Sequence, residues 1–137
     1  MTDHATGHVI QVQGSVVDVE FPKNELPDIY EAVHVLKPGE PLLVLETQKY
    51  LDDTRVRCIA MDTTDGLSRG VPAKRTFSPI MVPVGTSTLG RIFNVLGQPI
   101  DNKGPVQTEE QYPIHRPAPT FEEQSTRVEL FETGLKV

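Results

Sequence analysis

The sequence predicts a mainly β protein: a small six-stranded antiparallel β-barrel followed by a truncated α/β segment. Three observations carry that prediction. Apolar and polar residues alternate in short runs with the period of two that a half-buried strand requires. Turn-forming residues separate those runs, and helix signals are few among them. Twelve Pro and ten Gly in 137 residues suit short strands and loops better than long helices. A closed barrel is the arrangement that gives such strands no exposed edge.

The elements follow in order. The first run is His8 to Gln13, with Gly14 as a turn or bulge. In the second, Val17, Val19 and Phe21 point one way while Asp18 and Glu20 point the other. Ala32 to Leu36 and Leu42 to Thr47 flank Lys37-Pro38-Gly39-Glu40, a tight turn. Arg55 to Met61 places Val56, Cys58 and Ala60 on one face, so Cys58 is expected to be a buried structural thiol. Thr63-Thr64-Asp65-Gly66 is a turn, and Thr76 to Val82 is the sixth run.

Beyond Val84 the pattern changes. Leu89, Ile92, Phe93 and Leu96 fall at i, i+3, i+4 and i+7, one face of a short amphipathic helix. Thr86 or Ser87 would cap its start, and Gly97 with Pro99 would end it. Pro113, Pro117 and Pro119 mark a connector that is not helical. Residues Glu129 to Val137 rise into a new element, so 83–137 is expected to be the incomplete start of a further domain after a barrel over 1–82.

The formal charge of −6 and the scatter of basic residues argue against nucleic acid as a partner. The tightest basic group, Arg69, Lys74 and Arg75, is expected on a solvated face. No secretory signal and no apolar run of the ~20 residues a span needs are present, so no direct membrane insertion is expected.

Candidate chemistry fails on residue type. Gly85 and Gly90 in GTSTLGRI have the spacing of a phosphate-binding loop, which needs a Lys ammonium for the outer phosphates and a hydroxyl for Mg²⁺. Arg91 and Ile92 stand there instead, and neither substitutes for the required group. The stretch Gly85 to Leu89 also lacks the second Gly of a nucleophile elbow. His4 and His8 are expected in a frayed terminus rather than a metal site, His34 as a strand side chain, and His115 in local hydrogen bonding. Asp62 and Asp65-Gly66 miss the other ligands of a calcium loop. Glu109-Glu110 and Glu122-Glu123 lie in polar stretches unsuited to acid–base work. No catalytic, cofactor-binding or metal-binding residue is assigned.

Several stretches together resemble the F-type ATP synthase beta subunit family. They are Gln13-Gly14-Ser15-Val16-Val17-Asp18-Val19-Glu20-Phe21, Asp65-Gly66-Leu67-Ser68-Arg69-Gly70, and Thr88 to Gly97 continuing to Pro99-Ile100-Asp101. Ile114-His115-Arg116, Ala118-Pro119, Glu123-Gln124-Ser125-Thr126 and Thr133-Gly134-Leu135-Lys136-Val137 extend the likeness in the same order. The alpha subunits share much of this; Glu123 to Thr126 and Leu130 to Gly134 look like beta, while Leu135 stands where Ile is more usual. The resemblance implies an N-terminal crown barrel and the opening of a nucleotide-binding domain. It implies a parent that makes ATP from ADP and phosphate on a transmembrane proton gradient, using Mg-ATP/ADP. Its partners would be alpha subunits in an alternating ring and the central-stalk gamma subunit.

The residues that resemblance assigns to ATP chemistry would follow Val137, so 1–137 alone is expected to be non-catalytic and to hold no cofactor. The expected location is a peripheral complex on the cytoplasmic face of a bacterial plasma membrane, with an organelle inner membrane as the alternative. Competing readings are an alpha-type relative and a stand-alone barrel acting as a binding or adaptor module.

Overall fold

The computed structural model describes residues 6–36, 41–108, 110–127 and 130. Six strands close a barrel in the order β1-β2-β5-β4-β3-β6: β1 (Thr6–Gln13), β2 (Val16–Glu20), β3 (Glu31–Val35), β4 (Leu43–Tyr50), β5 (Arg55–Ala60) and β6 (Pro72–Pro79). Every neighbouring pair is antiparallel, and the short connections from β1 to β2, β3 to β4 and β4 to β5 require it of those three pairs. Two short strands, β7 (Met81–Pro83) and β8 (Gln111–Pro113), pair in a separate sheet.

The predicted alternation fills the barrel. Val9, Val17, Val19, Phe21, Val33, Val35, Leu43, Leu45, Val56, Cys58 and Ala73 form one buried cluster. Each fully buried valine among them contributes about 2 kcal/mol of apolar transfer. Cys58 lies beside the Thr47 hydroxyl at 3.8 Å, and burial pushes its thiol up to about 12. It is therefore a neutral packing group at ordinary pH.

A second, smaller cluster forms on the outside of the barrel wall. Ala32 and Val44 on β3 and β4 are covered by Ile80, with Leu96 and Met61 packed against them. Strand β4 is consequently buried on both faces from Leu43 to Thr47. This is where the chain after the barrel folds back and docks.

Two expectations are corrected here. The sixth strand begins at Pro72 and ends at Pro79, not Thr76 to Val82. Phe77 has φ 55, and Glu31 pairs with Pro79 while Val33 pairs with Arg75, so extra residues bulge from β6 before the chain leaves for β7. No α-helix spans 89–96. Only a 3₁₀ turn, Thr86–Thr88, precedes it, and its N-cap Gly85 supplies no side-chain bond, so neither Thr86 nor Ser87 caps it. Leu89 is extended and Gly90 has φ 69, which stops helical propagation. Asp101 accepts from the amide of Ile92, and Asn94 Oδ1 accepts from the amides of Leu96 and Gln98. Side chains that capture backbone N–H groups in this way compete directly with a helix. Among the described residues after β6 there is no α-helix, so the α part of the expected α/β segment is not seen. The Lys37 to Glu40 turn and most of Glu129 to Val137 lie outside the described residues.

Candidate interaction site on the barrel wall

The loop GTSTLGRI does not present a cation to an anion. Arg91 Nε and Nη2 donate to Asp101 Oδ2 and Oδ1 at 2.6 and 3.0 Å, and Nη2 also donates to the Gly104 carbonyl. The Arg91 guanidinium holds the Asp101 carboxyl well below the usual carboxylate range. Asp101 accepts from the Lys103 amide as well. The arginine that stands where a phosphate loop has lysine is thus spent on closing a local hub.

A different constellation gathers where β3 and β6 meet the returning chain. Glu31 is 3% exposed and takes a bidentate pair from Arg75, Nε to Oε1 at 3.0 Å and Nη2 to Oε2 at 2.7 Å. It also accepts the amides of Asp28 and Phe77 at 2.9 Å each. Burial pushes the Glu31 carboxyl up, but the Arg75 hydrogen bonds and the two amides outweigh that and leave it below its ordinary value. A buried pair of this kind is tolerated because every carboxylate oxygen is satisfied. Arg75 is therefore not on a solvated face as the sequence suggested; its side chain is 12% exposed.

That anchor holds two aromatic residues in unusual backbone conformations. Tyr30 has φ 69 and Phe77 has φ 55, each costing about 1 kcal/mol or more for a residue with a bulky side chain. The Tyr30 amide is secured to the Thr47 carbonyl at 2.7 Å, and the Phe77 amide to Glu31. The strain turns both rings outward: Tyr30 is 43% exposed and Phe77 67%. Arg75 also stacks its guanidinium 4.2 Å above the Phe77 ring.

The returning chain completes the site. His115 Nε2 lies 3.0 Å from Glu46 Oε2, and its ring stacks on Tyr30 with centroids 4.1 Å apart. Glu46 is 3% exposed and also accepts from Gln48 Nε2. The bond joins residues 69 apart in sequence, so His115 is not in local hydrogen bonding as expected. Between Tyr30, Phe77, Pro79, Pro113 and His115 lies an open cleft of about 260 Å³, with Asp28 at its rim.

The other singled-out residues sit apart from this site. His8 is an ordered member of β1, 3.2 Å from Glu20, so the frayed-terminus reading fails for it; His4 lies outside the described residues. His34 is a half-buried strand side chain whose imidazole burial holds below its ordinary value. Asp62 and Asp65 form a turn by bonding the nearby backbone and Thr63. Glu123 accepts from Thr120 in a capping box, while Glu109 lies outside the described residues. Among the described residues no group of three or more His, Cys, Asp or Glu could hold a metal ion, and no helix is long and apolar enough to cross a membrane. What sequence reading missed is the pairing of Glu31 with Arg75 and of Glu46 with His115. The available signal is a glutamate beside an apolar run in each of two strands, Glu31 before Ala32 and Val33, and Glu46 after Leu43, Val44 and Leu45.

Comparison with known protein families matches residues 9–76 to the ATP synthase alpha/beta family, beta-barrel domain. The barrel is that of the ATP synthase alpha/beta family. The match starts in β1 and ends in β6, so it takes in the closed barrel, Tyr30, Glu31, Glu46 and Arg75. Phe77, Pro113 and His115 lie beyond it. The cleft therefore straddles the border between the ATP synthase alpha/beta barrel domain and the chain that docks on its wall.

Proposed function

We propose that the chain is the N-terminal part of a beta-type ATP synthase subunit and that its barrel serves ring assembly rather than chemistry. The observation that carries this reading is the closed six-stranded barrel matched over residues 9–76 to the ATP synthase alpha/beta barrel domain. The beta-like sequence of Glu123 to Thr126 and Leu130 to Gly134 supports beta over alpha. On this reading the barrel over 1–82 packs beside homologous barrels of alpha-type subunits, and 83–137 opens the nucleotide-binding domain. The intact assembly would use Mg-ATP/ADP, engage a gamma-type stalk and sit as a peripheral complex on an energy-coupling membrane. Residues 1–137 contain no Gly-x-x-x-x-Gly-Lys-Ser/Thr run, and Arg91 is committed to Asp101, so no step of ATP chemistry is assigned to them.

Mixing the chain with the barrel domain of an alpha-type and of a beta-type subunit, followed by sedimentation, tests the reading. Association with the alpha-type barrel in preference to the beta-type one is expected. Equal association, or none, overturns the assignment to beta-type ring assembly. Titration calorimetry should find no saturable Mg-ATP binding to the chain.

A further inference from the structure

We propose that the cleft between Tyr30, Phe77 and His115 is a docking site for a cationic side chain, arginine or lysine, carried on a segment of another protein. The inference stands on the cleft itself and not on the ring-assembly reading, since any basic partner would satisfy it. Three aromatic rings converge on one small opening, and Pro79 and Pro113 wall it with further apolar surface. A volume of about 260 Å³ suits one inserted side chain better than a cofactor-sized molecule. Aromatic faces flanked by a carboxylate are the surroundings that favour a cation. Asp28 supplies that carboxylate: it is exposed, its oxygens accept no hydrogen bond from a described residue, and its charge is shared only at a distance with Arg75, whose guanidinium is already committed to Glu31.

The same chemistry is already used twice within the chain. Arg75 sits 4.2 Å over Phe77, and Arg116 sits 4.1 Å over Tyr112. Of the four non-glycine residues with positive φ, Asn24, Tyr30, Phe77 and Asn102, the two aromatic ones display exposed rings to the cleft. Strain held in place by a buried ion pair is a feature that functional surfaces retain and a purely structural wall does not need. A second copy of this chain is the poorer occupant, because each copy carries −6 and long-range repulsion opposes the encounter. A basic segment is drawn in by the same field.

The test uses the full chain, ¹⁵N-labelled, titrated with N-acetyl-arginine amide and, at matched ionic strength, with N-acetyl-glutamine amide. The arginine probe should shift the amides of residues 28–31 and 77–78 saturably, and bind about threefold or more tightly than the neutral probe. Phe77→Gly deletes the ring while relieving the left-handed backbone, so the fold is kept and affinity should drop about threefold. Asp28→Asn should weaken the arginine probe and leave the neutral one unchanged. Equal shifts from both probes overturn the proposal, as does affinity unaltered by Phe77→Gly. Shifts at these amides that follow protein concentration without any probe also overturn it, because the occupant is then a second copy.

Discussion

The barrel and the chain that follows it solve the same problem in opposite ways. In the barrel, strands close on one another and eleven buried residues share a single interior. After β6, Leu89 is 77% exposed, Ile92 60% and Phe121 91%, and order comes instead from polar hubs such as Arg91–Asp101 and Asn94–Gln98. The barrel derives its stability from apolar burial, which is cooperative because every strand touches two others. The following segment is held by local hydrogen bonds and by its docking on β3 and β4 through Ile80, Leu96 and His115, so it can lose structure without the barrel doing so. The difference teaches that apolar content alone does not make a core; closure of the backbone network does.

The largest expected effect breaks the barrel itself. Phe21→Ala removes the bulkiest of its fully buried side chains and should cost about 4 kcal/mol, lowering the urea midpoint of the whole barrel. If β7 and β8 unfold in the same transition, the seam on β3 and β4 couples the two regions; separate transitions confirm their independence.

Next comes the ion pair that supports the outer wall. Arg75→Met leaves Glu31 buried without its partner and should destabilise by about 3 kcal/mol. The sign with pH follows from the same pair. A carboxyl held low in the folded state contributes stability above its ordinary value and loses it as pH falls through the folded value. Glu31 is lowered from 4.5, and Asp52, hydrogen-bonded first by the Arg55 side chain and then by the Thr54 amide, is lowered from 3.8 to about 2. Stability should therefore decline from about pH 4.5 downward. Glu31→Gln should flatten the upper part of that decline and Asp52→Asn the lower part, measured as urea midpoints across the range. A midpoint that does not change between pH 5 and pH 2 contradicts the assignment.

Legibility in the sequence tracks this same division. Strand faces were readable because a half-buried strand must alternate, so Val17, Val19 and Phe21 could be placed inside from spacing alone. The wall at β4 was not readable. Val44 and Glu46 occupy the positions that alternation assigns to solvent, and only the return of Ile80, Leu96 and His115 buries them. The helix predicted over 89–96 does not form because the i, i+3, i+4 pattern is a weak signal over one or two turns. Asp101 and Asn94 took the amide donors such a helix would have used, and that competition depends on residues the pattern does not include. The candidate site was invisible for a related reason: it is made from residues 28–31, 75–79 and 113–115, which no local motif connects.

The third test sharpens the seam. Gly97 has φ 73, and a Cβ there would lie 2.6 Å from Pro83 Cδ and 3.1 Å from Val82 Cα. Gly97→Ala therefore meets both a left-handed backbone penalty and a clash with β7, at a cost of about 1–2 kcal/mol. That cost falls on the docking of the segment. Amide exchange at Leu96 and Val82 should accelerate while Val33 and Leu45 in the barrel stay protected. Equal acceleration in the barrel would mean that β7 belongs to its cooperative unit.

The smallest effect isolates the hub. Asp101→Asn keeps the shape of the side chain but removes the charge that Arg91 pairs with and weakens the acceptance of the Ile92 and Lys103 amides. The barrel contacts neither group through any hydrogen bond to Asp101, so its unfolding midpoint should not move. The amides of Ile92 and Lys103 should exchange faster, and the Ile100 amide, bonded to the Ile92 carbonyl at 2.9 Å, should follow them. Because these are local openings, they should appear without any change in the denaturant dependence of the global transition. A shift of the barrel midpoint in this variant would show that the polar hub carries load for the apolar core, and the contrast between the two regions would then be one of degree only.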